Sequence, residues 1–327
     1  MKFRTEITPP ESNSPILHSE ITLALGSCFA ENIAAKLEMH KFRVLSNPFG
    51  VLYNPVSIRQ SVQLLTGSRN FTAADLFKFS GEWHSFYHDS FFSSEEKEKT
   101  LSQVQKQIET SAIFLKSADV VIITYGTSYI YNYRKTGMTV SNCHKLSSSE
   151  FERKRLTPEE VFSESRFLLD EIKKVNGNAR FIFTVSPIRH WKDGAFENQL
   201  SKASLLLGIS EIIKNYENCR YFPAYEIMMD DLRDYRFYAE DLLHPNKQAI
   251  DYIWEKFLSA EISITADEAI GDFGKIYAAL NHRPKDKFSE KYKDFCRNQL
   301  KEIAKLQEKY EYVELTDEIK YFTENSG

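Results

Sequence analysis

No stretch of this chain approaches the roughly 18 apolar residues that a membrane-spanning helix needs. The opening segment MKFRTEITPPESNSPILHSE also has no apolar core of the signal-peptide kind. Together these absences predict a cytoplasmic protein with no membrane partner. Cysteine is scarce: Cys28, Cys143, Cys219 and Cys296 stand apart, without CxxC spacing. In a reducing compartment they are free thiols, and no zinc-ribbon pattern is present. No Lys/Arg run stands out and the formal net charge is −4, which argues against a nucleic-acid partner. GxGxxG after the first strand and GxxxxGK[ST] anywhere are both missing, so no nucleotide cofactor is expected. Internal repeats and low-complexity tracts are absent as well.

What is present is an ordinary globular composition, 42% hydrophobic and 27% charged over 327 residues, enough to bury a substantial core. The 24 Phe and 17 Tyr are read mostly as core. Short β-rich runs at 21–25, 42–46, 119–125, 179–185 and 219–224 alternate with amphipathic stretches at 29–41, 56–66, 94–116, 157–175 and 197–215. DVVIITY and ARFIFTV are almost continuously apolar, as strands buried on both faces of a parallel sheet must be. Thr157-Pro158-Glu159-Glu160 combines an N-cap, a Pro at the first helical position and early acids. This alternation predicts an α/β fold, a three-layer doubly wound sandwich with a mainly parallel sheet, over residues 1–259. Residues 260–327 lack strand signals, and 266–281 and 285–310 favour helix, so a helical C-terminal extension is expected.

In open parallel sheets, ligands bind beyond the carboxyl ends of the strands. The loops there read Gly26-Ser27-Cys28, Asn47-Pro48-Phe49-Gly50, Gly126-Thr127-Ser128 and Ser186-Pro187-Ile188-Arg189-His190. A fifth segment leads to Asp241-Leu242-Leu243-His244-Pro245-Asn246. Glycine in three of these loops lets backbone amides approach a ligand closely. In the D-x-x-H pair, Asp241 can fix the tautomer of His244 and leave its other nitrogen free as a general base. A surface histidine beside a solvated acid is the plainer reading of that pair taken alone.

Taken together, LGSCFAENIAAKL, NPFGVLYNP, TYGTSYIY, NCHK, TVSPIRHWKDG and DLLHPN resemble the GSCFA family, a branch of the SGNH (GDSL-like) hydrolases, over about residues 20–257. The resemblance implies a flavodoxin-like sheet and an esterase or acyltransferase. It implies a small acylated substrate, a carbohydrate among the candidates, and no metal or other cofactor. By the same resemblance His244 is the base and Asp241 its orienting acid, with Gly50, Gly126 and Ser128 around the oxyanion. Ser128 stands where that pattern has an Asn, which shortens the donor's reach. Asn47, Asn54, Thr127, His144, Arg189 and His190 are expected to face substrate.

The nucleophile stays open between two neighbours. The superfamily's Gly-Asp-Ser block, laid without a gap on Gly26-Ser27-Cys28, puts the nucleophile at Cys28. Ser27 would then cap the following helix, and the helix dipole would lower the Cys28 thiol pKa. A one-residue shift makes Ser27 the nucleophile. A third reading has neither reacting, in a domain that binds an acyl or sugar ligand without turnover. His84 and His88 could share a helix face with Asp89 nearby as metal ligands, although GEWHSFYHDSFF also reads as an aromatic loop. Asn198, Cys143 and Tyr129, Tyr131 and Tyr133 are rim or core candidates that the sequence leaves undivided.

Overall fold

The computed structural model describes residues 4–327. The chain begins with β1 (Ile21–Gly26), α1 (Cys28–Met39), β2 (Arg43–Ser46) and α2 (Pro55–Thr66). A hairpin of β3 (Leu76–Phe79) and β4 (Glu82–Ser85) precedes α3 (Lys97–Ser117). β5 (Val120–Tyr125) is followed by the short strands β6 (Tyr129–Tyr133), β7 (Thr139–Val140) and β8 (Phe151–Arg155). Next come α4 (Pro158–Val175), β9 (Arg180–Val185), α5 (Gly194–Asn215), β10 (Cys219–Phe222), the one-turn α6 (Ala224–Glu226) and α7 (Lys247–Glu261). The chain closes with α8 (Ile264–Leu280), α9 (Glu290–Lys309) and α10 (Thr316–Glu324).

The central sheet has five parallel strands in the order β10-β9-β5-β1-β2. Counted by appearance, that is the doubly wound order whose direction of winding reverses between β1 and β5. Strand side chains alternate between two cores. Leu23, Leu25, Val121 and Ile123 join the helices α2, α3, α4 and α5 on one face. Ala24, Val120, Ile122 and Ile182 pack against α1 and α7 on the other. Burial on both faces is why these strands read as unbroken apolar runs.

Sequence and structure differ at some boundaries for identifiable reasons. β10 stops at Phe222 because Pro223 has no N–H with which to extend the ladder. The antiparallel β6–β7–β8 sheet was not expected, and FERKR shows why: Glu152 and Lys154 face solvent, so the strand looks polar. The helix starts were legible. Thr157 is the expected N-cap of α4 with Pro158 at its first position, and Glu160 completes a capping box.

The last three helices form their own apolar cluster around Phe273, Tyr292, Cys296, Ile303 and Phe322. α8 serves both sides, giving Ala266 and Ile270 to the sheet-side core and Ala269, Phe273 and Ile276 to the helical one. His18 ties the two: its Nε2–H donates to the His40 carbonyl (2.8 Å), and its Nδ1 bonds Tyr312 Oη (2.9 Å). Lys41 pairs with Glu318 of α10. Among the described residues no helix is long and apolar enough to cross a membrane.

Candidate active site

The carboxyl ends of β1, β5 and β9 open onto a cleft of about 670 Å³, with the β6–β8 sheet and the 186–192 loop as its walls. It lies where the winding reverses. Ser27, Cys28, Asn54, Thr127, Arg189, His190 and His244 all line it. A second pocket of about 490 Å³ adjoins and shares Arg189, Trp191 and Leu243 with the first.

The floor is built by the first loop. Gly26 takes φ +136°, and a Cβ there would sit 2.1 Å from the Thr124 carbonyl oxygen of β5. Only glycine permits so close an approach of two strands. The next peptide locks in place through Ser27 N–H donating to Thr124 O (3.0 Å). Ser27 is 1% exposed, and its Oγ accepts the Phe29 N–H (3.3 Å) as the N-cap of α1. Cys28 follows as the first helical residue, half-buried and with a free thiol. No acceptor among the described residues takes its backbone N–H, as first-turn helix geometry dictates.

The expected thiolate does not follow from that position. Burial pushes the Cys28 thiol pKa up and the Glu31 carboxylate adds to the rise. The amides of Cys28 and Phe29 and the charge of Lys202 pull it down without prevailing. Desolvation outweighs the helix terminus here.

The rim carries the Asp241–His244 pair. His244 Nδ1 lies 2.5 Å from Asp241 Oδ2, while Asp241 Oδ1 accepts the backbone N–H groups of Leu243 (3.0 Å) and His244 (2.9 Å). Those two amides, then the imidazole, hold the Asp241 carboxyl down to about 2. Leu242 bends the loop at φ 60°. Both side chains are about half exposed, and His244 Nε2 has no partner among the described residues.

Several other assignments are corrected by where the amides and side chains go. The Gly50 N–H donates to Asn47 O (2.8 Å), closing a turn, so it is not free for an oxyanion. Gly50 is glycine because Asp89 Cβ would lie 2.4 Å from any added Cβ. Gly126 N–H is likewise taken, by Tyr53 O (2.8 Å). Ser128 is fully buried and bonds Ser201 Oγ through both its N–H (2.8 Å) and its hydroxyl (3.2 Å), away from the cleft. Asn47 is a structural brace, accepting the Gly26 N–H (2.8 Å) and donating to Glu31 (3.3 Å). His144 is buried and spends Nε2 on the Ser85 carbonyl (2.7 Å); its neighbours Asn142 and Cys143 line the cleft instead.

Two donors that the sequence did not single out for the oxyanion remain unspent. The Val51 N–H has no acceptor among the described residues, and Val51 lines the cleft. Asn54 caps α2 with Oδ1 on the Ser57 N–H (2.9 Å), which leaves its Nδ2 donors unclaimed at the cleft wall. Tyr129 and Tyr131 line the cleft, whereas Tyr133 packs on Phe86 and Phe151.

The helical metal face does not exist. His84 sits on β4, with Nδ1 on Ser93 Oγ (2.6 Å) and Nε2 on the Phe79 carbonyl (3.1 Å), and His88 is buried beyond the strand. Among the described residues no group of three or more His, Cys, Asp or Glu is placed to hold a metal.

Two basic groups complete the electrostatics. Burial, then the charges of Lys202, Arg153 and His244, bring His190 down to about 4; its backbone N–H is held by Asn198 Oδ1 (3.0 Å). Among the described residues the Arg189 guanidinium hydrogen-bonds the Met229 sulfur (3.0 and 3.2 Å), and no carboxylate pairs with it.

A solved acetyl xylan esterase (Est2A) from the rumen bacterium Butyrivibrio proteoclasticus is similar at a TM-score of 0.36 and 11% identity, over 80% of this chain. This chain spans 66%, just under two thirds, of that protein's length. No curated protein matches. A family model described as GSCFA domain protein, C-terminal domain, matches residues 273–325. The GSCFA family model matches residues 21–257, from the first residue of β1 to α7, and the chain belongs to the GSCFA family.

Proposed function

We propose that the protein is an SGNH-type acyl hydrolase or acyltransferase working through a covalent acyl-enzyme on Cys28. One observation carries the choice of nucleophile: Ser27 is buried and its hydroxyl caps α1, whereas the adjacent Cys28 thiol is half-buried in the cleft that His244 also lines. In the first half-reaction His244 Nε2 takes the thiol proton and the sulfur attacks the acyl carbonyl. The leaving group departs with the proton that His244 returns, and a thioester remains on Cys28. Water or an acceptor hydroxyl then attacks the thioester, giving its proton to His244, and the thiol is regenerated. Asp241 keeps the imidazole in the required tautomer.

The Cys28 and Val51 amides and Asn54 Nδ2 are the donors proposed for the developing oxyanion. Because the thiol pKa is raised by burial, attack depends on proton removal by the base more than on a standing thiolate. That favours activated acyl donors such as thioesters. Arg189, with no carboxylate partner, suits an anionic group on the substrate.

The test is intact mass spectrometry after brief exposure to p-nitrophenyl acetate at neutral pH. A single acetyl adduct is expected in wild type and in Ser27→Ala, absent in Cys28→Ala and strongly slowed in His244→Ala. An adduct that survives Cys28→Ala but not Ser27→Ala would move the nucleophile to Ser27. No site-specific adduct with any of several activated esters would leave the cleft as a binding site only.

A further inference from the structure

A second compartment opens off the cleft, and one charge in it is left over. The pocket of about 490 Å³ beside the cleft shares Arg189, Trp191 and Leu243 with it. The Asp241–His244 pair straddles the boundary, Asp241 lining the second pocket and His244 the cleft. The other charged side chains of the second pocket are spent within the chain. Arg233 pairs with Asp230 (2.6 Å). Asp234 accepts the Arg236 backbone N–H (2.9 Å) and lies 3.6 Å from the Arg236 Nε. Asp241 holds the two amides and the imidazole already described. Arg189 is left with no partner of opposite charge among the described residues.

The way the guanidinium is held leaves one edge open. Nε and Nη2 donate to the Met229 sulfur (3.2 and 3.0 Å), a weak acceptor on a flexible side chain. Met229 belongs to a π-helical turn, Ile227–Asp231, a distortion frequent at functional sites. The other edge, Nη1 with the outer N–H of Nη2, has no acceptor among the described residues. Such an edge presents two parallel N–H groups that match the two oxygens of a carboxylate. Trp191, Tyr235 and Leu242 line the same pocket and are 49%, 73% and 55% exposed, so apolar surface flanks the charge. The charge balance selects among anions. One unpaired cation beside Asp234 and Asp241 suits a monoanion, whereas a phosphate dianion would meet two carboxylates with a single cation to offset it.

We propose that the second pocket is a subsite for the leaving group of the acyl donor, an alcohol, phenol or thiol that carries one carboxylate on an apolar or aromatic body. The carboxylate lies end-on against Arg189 and the body covers Trp191 and Tyr235. The scissile bond falls at the boundary of the two compartments, beside the His244 that returns a proton to the departing oxygen or sulfur. The role of leaving group rests on the acyl-enzyme reading, whereas the subsite itself is measurable with ligands that carry no acyl group.

The experiment is calorimetric binding of 4-hydroxybenzoate, methyl 4-hydroxybenzoate and 4-hydroxyphenyl phosphate to the full-length protein. Wild type is expected to bind the carboxylate roughly 10- to 100-fold more tightly than its methyl ester, the worth of charge-assisted hydrogen bonds, and more tightly than the phosphate. Arg189→Gln, checked for folding by circular dichroism, should lose most of that preference. Trp191→Ala should bind the carboxylate about threefold more weakly, or worse, through lost ring contact. Carboxylate binding that is absent in wild type, no tighter than that of the ester, or unchanged in either variant overturns the proposal, and tighter binding of the phosphate overturns the choice of a monoanion. If Arg189→Gln does not fold, the wild-type preference and the Trp191→Ala loss decide. A second arm compares acetylation of Cys28 by 4-acetoxybenzoate and by methyl 4-acetoxybenzoate, each relative to its uncatalysed hydrolysis, and the carboxylate should be favoured in wild type. Binding of 4-hydroxybenzoate with no acetyl adduct from either ester would count against the acyl-enzyme reading and leave the subsite standing.

Discussion

The floor and the rim of the cleft reach comparable chemistry by opposite means. On the floor, Ser27, Cys28 and Lys202 are held by strand ends and a helix start, and burial moves their titratable groups towards neutrality, the thiol up and the amine down to about 7. On the rim, Asp241 and His244 are half exposed on a loop, and three hydrogen bonds to one carboxylate set the geometry. A buried site gains rigidity and strong electrostatics at a desolvation cost. The rim carboxylate keeps its charge through hydrogen bonds to the chain around it. The difference teaches that floor variants should act through the fold and rim variants through the chemistry.

The sharpest way to break that comparison is Gly26→Ala. With φ +136° and a Cβ 2.1 Å from Thr124 O, the substitution should destabilise by more than about 3 kcal/mol. Urea unfolding would show this, and a folded variant of unchanged midpoint would mean that the β1–β5 contact is not rigid.

Asp241→Asn is the rim counterpart. Acylation by p-nitrophenyl acetate should slow by about 10²–10⁴-fold, as for loss of an orienting acid, while the urea midpoint shifts far less than in Gly26→Ala. Equal losses in stability and rate would erase the distinction between rim and floor.

The smallest effect separates the two regions by pH. His190 is brought to about 4 and His88 to about 3 by burial. Their folded values lie below the unfolded ones, so between about 6.5 and 4 the unfolded chain binds protons that the native state refuses, and stability falls as pH falls. Asp241, also depressed, keeps its full contribution above about 4 and loses it only as pH falls further, towards about 2. The urea midpoint should therefore decline from pH 6.5 to 4 in wild type. It should decline less steeply in His88→Gln, and the slope should not change in Asp241→Asn. A wild-type midpoint that is flat across that window would contradict the buried-neutral state of both histidines.

How much was legible can be argued from single residues. Ser27 as a cap followed from a small hydroxyl between a turn glycine and a helix-forming run. The Asp241–His244 hydrogen bond was legible because the partnership is local, spanning three residues. The family resemblance misled at Gly50, Gly126 and Ser128, because the acceptors that use up their hydrogen bonds (Asn47, Tyr53 and Ser201) are set by chain crossings no motif reveals. The β6–β8 sheet was missed because one face of each short strand is polar.

By itself the sequence determined the parallel α/β sheet, through apolar runs that only two-sided burial explains, and the loops that carry polar residues to the strand ends. It also determined the helix caps, since capping is a matter of a few adjacent residues. Tertiary structure alone decided which amides stay free, that Cys28 is desolvated more than its helix terminus can offset, and that Lys202 lies inside. Each of these depends on which distant backbone carbonyl or charge comes within a few ångströms, and a hydrogen bond or a desolvation energy is fixed by that proximity, not by position along the chain.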